Sequence, residues 1–212
     1  MTRRGMARHL GSCPAREERI ATAAARTSQR KGTAFHLQVQ DAGSGRYWLH
    51  LEMVASAPLT ALDRYLRAIW LECCDHLSSF SVGSAWSGRE VGMTRKAGQV
   101  FRSGVELTHV YDFGTSSVTL IKPIAERHGV ALTQHPLALL ARNDPPAYSC
   151  MECEKPARWL CLECVYETGG EGTLCEEHAA GHPHDDYGEP VLIVNSPRVG
   201  RCGYVGPAEP PY

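Results

Sequence analysis

Phe35-His-Leu-Gln-Val-Gln40 alternates apolar and polar side chains, and Tyr47-Trp-Leu-His-Leu-Glu-Met-Val54 reads as a second strand shortly after it. A period of two places one set of side chains on a core and the other away from it, as in a half-buried strand. The intervening Asp41-Ala-Gly-Ser-Gly-Arg46 is turn chemistry, so the two runs predict an antiparallel hairpin. Pro58 ends the second strand. Thr60 is then a candidate helix N-cap, with Asp63 three residues on completing a capping-box pattern. Leu62, Leu66, Ile69, Trp70 and Cys73 recur at helical spacing, which predicts a helix ending near Cys74 with one face on the sheet.

Working outward, residues 76–82 alternate again, and residues 105–124 read as a strand pair or one long strand. Residues 83–104 are Gly-rich and polar, a loop with one short strand. Residues 125–129 and 137–141 read as short helices or turns. The fold class that follows is α+β: a small antiparallel sheet with one main packed helix, plus a C-terminal cross-brace zinc module. Asn143-Asp-Pro-Pro-Ala147 is a stiff linker, because proline disfavours helix at the residue before it. The expected domains are therefore a disordered basic arm (1–32), an α+β domain (33–147), a zinc-binding module with a Cys-Gly-Tyr tail (148–206) and a disordered tail (207–212).

Composition sets the outer bounds. With 43% hydrophobic residues the 212-residue chain is not disordered as a whole. The net charge of -1 hides a strong asymmetry. Residues 1–32 hold eight Arg or Lys against Glu17 and Glu18, whereas residues 150–190 hold ten acids against Lys155 and Arg158. There is no run of apolar residues long enough to span a bilayer. Nine cysteines without an apolar export signal point to a reducing, cytoplasmic setting, where clustered thiols bind metal.

From Cys150 the thiols and imidazoles fall into pairs: Cys150/Cys153, Cys161/Cys164, Cys175/His178 and His182/His184. Two ligands separated by two residues form a turn that aims both at one tetrahedral ion. Eight ligands suit two ions. Trp159, Leu160, Leu162, Val165 and Leu174 are the only core this segment offers, too little for a domain of such size without metal. Structural zinc contributes an apparent ~10–16 kcal/mol per site in such modules. Only seven residues separate Cys153 from Cys161, which favours cross-bracing. Cys150, Cys153, Cys175 and His178 then share one Zn2+, and Cys161, Cys164, His182 and His184 the other. Sequential pairing is the alternative, and Cys202 is an alternative to His184.

A full ligand set leaves no open position for catalysis. His178-Ala-Ala-Gly-His182 has the His spacing of a zinc protease but carries Ala179 in place of the general-base Glu. The deaminase pattern fails as well, since no His-x-Glu precedes the knuckle. Asp112-Phe113-Gly114 stands without any kinase loop and reads as a strand-and-turn feature. Cys73, Cys74 and His76 read as packing residues. An acidic module repels phosphate backbones, which favours a protein or peptide partner over nucleic acid. Oligomeric state is not legible, and no membrane partner is expected.

Leu62-Asp-Arg-Tyr-Leu-Arg-Ala-Ile-Trp70, His76-Leu77, Phe80 and Tyr111-Asp-Phe-Gly114 resemble the family named after an open reading frame of root-inducing plasmids, whose members are also labelled transposon-passenger proteins. Val194-Asn-Ser-Pro-Arg198 and Cys202-Gly-Tyr204 are similar to a branch of it with Cys/His knuckles. The resemblance spans roughly residues 35–206. It implies a small α+β domain with a C-terminal zinc module, and it brings no mechanism. Where the family usually shows Trp-Arg-Arg, this chain reads Trp48-Leu-His50.

Overall fold

The alternation at residues 35–40 lies inside a long strand, β1 (Gly32–Asp41), which pairs antiparallel with β2 (Trp48–Val54) in the expected hairpin. The computed structural model describes residues 1–26, 30–72, 74–184, 186–201 and 207–212. Asp41 closes the hairpin turn: its carboxylate accepts from the amides of Gly43, Ser44 and Gly45.

The remaining strands of the sheet are β3 (Ser78–Val82), β4 (Arg89–Val91), β5 (Leu107–Tyr111), β6 (Ser117–Gly129) and β7 (Leu137–Arg142). They give a seven-stranded antiparallel sheet in the order β4-β3-β5-β6-β1-β2-β7. The sheet is larger than the sequence suggested, because residues 125–129 and 137–142 are strand and not short helices or turns. The end of β6 is polar but pairs with the start of β1, from His36↔Ala125 to Gly32↔Gly129. Pro123 cannot donate to the ladder, and the register slips beside it between His36 and Leu37, so a bulge absorbs the missing N–H.

One face of the sheet carries Phe35, Leu37, Val39, Leu49, Leu51 and Met53, all essentially inaccessible. Helix α3 (Leu59–Trp70) lays Leu62, Leu66, Ile69 and Trp70 on it, as the periodicity predicts. Its start differs from expectation. Pro58 is the N-cap, and the Thr60 hydroxyl donates to the Met93 carbonyl instead of capping. Leu71, in the left-handed region, ends the helix before Cys73, which lies outside the described residues. A short helix, α4 (Ala97–Val100), follows β4.

The opposite face carries His36, His50 and Glu52. It is covered in part by residues expected to be a disordered arm, which form α1 (Arg3–Gly11) and α2 (Pro14–Ala24). The Thr2 hydroxyl caps α1, and Pro14 opens α2. His50 Nε2 donates to the Arg3 carbonyl at 3.2 Å, and Arg16 lies 4.0 Å from the Glu52 carboxylate. Glu52 is also held by a bidentate Arg127.

Beyond Arg142 the chain leaves the sheet, forms the Cys/His module, and returns. Its return differs from a free-standing module: Asn195 and Asn143 exchange hydrogen bonds, Nδ2 of Asn143 to Oδ1 of Asn195 at 2.8 Å and Nδ2 of Asn195 to the Asn143 carbonyl at 2.9 Å. Ser196 then donates to the Trp70 carbonyl. Arg198, only 1% exposed, reaches Asp112, Ser117 and the Thr115 carbonyl across the Tyr111 ring. Residues 207–212 are not free either. The Ala208 carbonyl accepts from Arg142, and Tyr212 stacks on His135 at 4.1 Å. Among the described residues no helix is long and apolar enough to cross a membrane.

Candidate metal centre

The module is built on three very short strands, β8 (Trp159–Leu160), β9 (Thr173–Leu174) and β10 (Val191–Leu192), in the order β10-β8-β9. Leu174 is fully buried among Cys150, Cys161, Cys164 and Cys175, so the core of this unit is largely its own thiols. That is why the sequence between the ligands can be so polar.

Each ligand pair is set by local backbone geometry. At the first, the Cys150 amide donates to the Lys155 carbonyl and the Glu154 amide to the Cys150 carbonyl, with Glu154 left-handed (φ 60°). This tight turn brings Cys153 back over Cys150. At the second, the Cys164 amide points at the Cys161 sulfur, 3.4 Å away. Gly172 is what lets β9 approach it. At φ 66° its backbone suits glycine, and a Cβ there would sit 2.5 Å from the Cys161 carbonyl oxygen. At the third, Cys175 is the N-cap of α5 (Glu176–Ala180), so the first turn returns His178 to the same side. His182 and His184 follow the helix.

The structure brings all eight predicted residues into two groups of four: Cys150, Cys153, Cys175 and His178, and Cys161, Cys164, His182 and His184. Within each group all ligand atoms lie within 4.8 Å of one another. The first and third pairs meet, as do the second and fourth. This is the interleaved, cross-brace arrangement, not the sequential alternative. In the first group Cys150 Sγ lies 3.3 Å and Cys175 Sγ 3.5 Å from His178 Nδ1, and Cys153 Sγ lies 3.8 Å from Cys175 Sγ. In the second, Cys164 Sγ lies 3.3 Å from His182 Nε2 and 3.1 Å from His184 Nδ1, with Cys161 Sγ 3.8 Å from the latter. A disulfide needs about 2.05 Å between sulfurs, so Cys153 and Cys175 are not bonded. Cys202 lies outside the described residues.

The thiols differ in their electrostatics, and within the first group Cys153 is raised where Cys150 is lowered. Burial pushes the Cys150 thiol up, but amide donors from Cys175, Glu152 and Cys153, together with His178, outweigh it and bring it to about 6. Burial and the neighbouring Cys161 raise Cys164 to about 11 without such compensation. Glu163 lies 3.9 Å from His184 Nε2, the nitrogen facing away from the sulfurs.

Other features singled out in the sequence take structural roles. Asp112, left-handed at φ 63°, caps its own turn by accepting from the amides of Gly114 and Thr115, so Asp-Phe-Gly is a strand-and-turn element. The roles of Asn143, Asn195 and Arg198 were not legible. They follow no spacing rule, and their partners lie about 50 to 90 positions away in sequence.

No family model matches this chain, and neither does any curated protein. Among solved structures it is similar to a protein of unknown function from Methanosarcina mazei Go1, at 16% identity and a TM-score of 0.45, over 52% of this chain and 69% of that one.

Proposed function

We propose that this chain is a non-catalytic binding protein in which two structural zinc ions shape an acidic module that recognises a basic segment of a protein partner. The observation that carries the reading is the pair of closed, four-ligand groups. Zinc bonds of about 2.3 Å to sulfur and about 2.05 Å to nitrogen make tetrahedral edges of about 3.8 Å between sulfurs and about 3.6 Å from sulfur to nitrogen. The separations of 3.1–3.8 Å lie close to those edges. Mixed thiolate and imidazole donors without carboxylate suit zinc over magnesium or calcium. With four protein ligands on each ion no position is left for a substrate, which supports a structural role.

The partner follows from charge. Residues 150–190 present ten carboxylates against two cations, and five thiolates bound to two divalent ions deepen that imbalance by one. A surface of this sign attracts Lys- and Arg-rich segments and speeds their encounter. A second reading, an accessory factor bound to nucleic acid as the plasmid-family resemblance suggests, draws on a different feature: Arg3, Arg4 and Arg8 of α1 gather around one groove, beside the Lys122–Glu106 ion pair.

Elemental analysis of the purified protein tests the first reading. Two zinc ions per chain are expected, with Cys175→Ser emptying the first group and Cys161→Ser the second. A wild-type protein holding fewer than two sinks the structural assignment. Retention of a basic peptide that weakens with salt and is lost on chelation supports the partner class. Salt-dependent DNA retention, lost when Arg3, Arg4 and Arg8 are changed to Ala, would favour the second reading.

A further inference from the structure

Away from the Cys/His groups, a cleft of about 1000 Å3 opens where the start of β1, the β2–α3 connection, α4 and the β6–β7 connection meet. Its apolar lining includes Ala34, Val54, Ala57, Pro58 and Pro136. Among the described residues the ionisable side chains around it are Arg30, Lys31, Lys96, Arg102 and His135, and no carboxylate lines it. In a chain with 23 acids and 22 bases this separation of sign is informative. Of the chain's other cations, Arg16, Arg67, Lys122, Arg127, Lys155 and Arg198 pair with carboxylates. Among the described residues, Arg30, Lys31, Lys96 and Arg102 form no ion pair. Like charges converging on one concavity raise its potential and concentrate anions there.

The backbone says how such an anion is held. Three amides in the lining segments are already spent: Ala55 donates to Thr33, Ala97 to Ala57 and Gly98 to Ala55. Recognition then falls to the guanidinium and ammonium groups, which arrive from two segments, residues 30–31 and 96–102, with the His135 imidazole on a third. Such a clamp suits a ligand with charge at more than one point. The volume is that of a small-molecule site. The lining offers no stacking platform for successive bases, since its single ring, His135, is already packed on Tyr212.

We propose that this cleft binds a small molecule bearing two or more oxyanion groups, phosphate or carboxylate, on an apolar frame. The proposal is independent of the zinc reading. Calorimetric titration of the full, metal-replete chain with inorganic pyrophosphate and, separately, with glutarate tests it. Saturable one-to-one binding of one probe is expected, and which probe binds identifies the ionic group. Changing Lys96→Ala and Arg102→Ala together should weaken it at least about tenfold, whereas Lys155→Ala, outside the cleft, should leave it unchanged. Arg102→Lys should retain part of the affinity, which separates loss of charge from loss of fold. Failure of both probes to saturate, or equal binding by the double variant, overturns the proposal. So does tight binding of a single-stranded oligonucleotide at the same cations with both probes silent.

Discussion

Two buried carboxyl groups on and just beyond α3 show how neighbours decide the outcome of burial. Burial pushes Asp63 up, but His109, Ser78 and Arg67 all donate to it and hold it down to about 2. Glu72 is 1% exposed, and neither of its oxygens has a hydrogen-bond partner among the described residues. Burial therefore raises it to about 7, with His109 and Arg198 only partly opposing. A carboxyl raised in the folded state binds its proton more tightly there than in the unfolded chain. Its penalty is small below its unfolded value near 4.5 and grows as pH rises through about 7. Glu72→Gln removes the ionisation, so the variant should gain about 2–3 kcal/mol on wild type between pH 5 and pH 8. Denaturant melts at the two pH values measure this, and an equal difference at both would count against an ionised, unpartnered Glu72.

At the scale of elements, α1 and α2 rest on polar groups more than apolar ones. Each buries a single residue, Leu10 and Ala23. Beneath them His36 Nε2 and His50 Nδ1 share a hydrogen at 2.9 Å, with Arg16 above and the Arg3 carbonyl alongside. Burial, then His50 and Arg16, lower His36 to about 3, and burial lowers His50. A base lowered in the folded state is neutral there but takes up a proton once exposed. Its contribution is complete above about 6.5 and is lost as pH falls below that. By pH 5 the loss from His36 is about 2 kcal/mol, enough to favour undocking of the helices. Limited trypsin digestion, scaled at each pH to an unstructured control peptide, should cut within residues 3–19 relatively faster at pH 5 than at pH 7.5, and His36→Phe should flatten the difference. Pattern reading missed these helices because eight cations and little apolar surface look like a solvated arm. It missed β7 for a related reason: Leu-Ala-Leu-Leu-Ala has no alternation, and only pairing with β2 makes it a strand. The hairpin and α3, by contrast, announce themselves because each has one wet face and one dry.

Across the whole molecule, the ligand set was the most legible feature, since coordination demands fixed residue types at short spacings and the four pairs meet as spacing implied. The attachment of the module was hidden. Asn195, Ser196 and Arg198 follow the metal groups in sequence yet pack on the large domain. Arg198→Met strips Asp112, Ser117 and the Thr115 carbonyl of a buried donor, at a cost of about 1–3 kcal/mol to that domain. The melting temperature of the sheet should fall while metal content stays at the wild-type value. Chelation should do the reverse, unfolding residues 150–192 while the sheet persists.

The reciprocal amides of Asn143 and Asn195 mean that the polypeptide departs from β7 and comes back at the same spot. Residues 144–194 therefore behave as a plug-in cassette whose two wires leave through one socket. Replacing them with a short Gly-Ser bridge should leave every strand pairing of the sheet in place. Lengthening or exchanging them should alter the Cys/His module without redesigning the sheet that carries it.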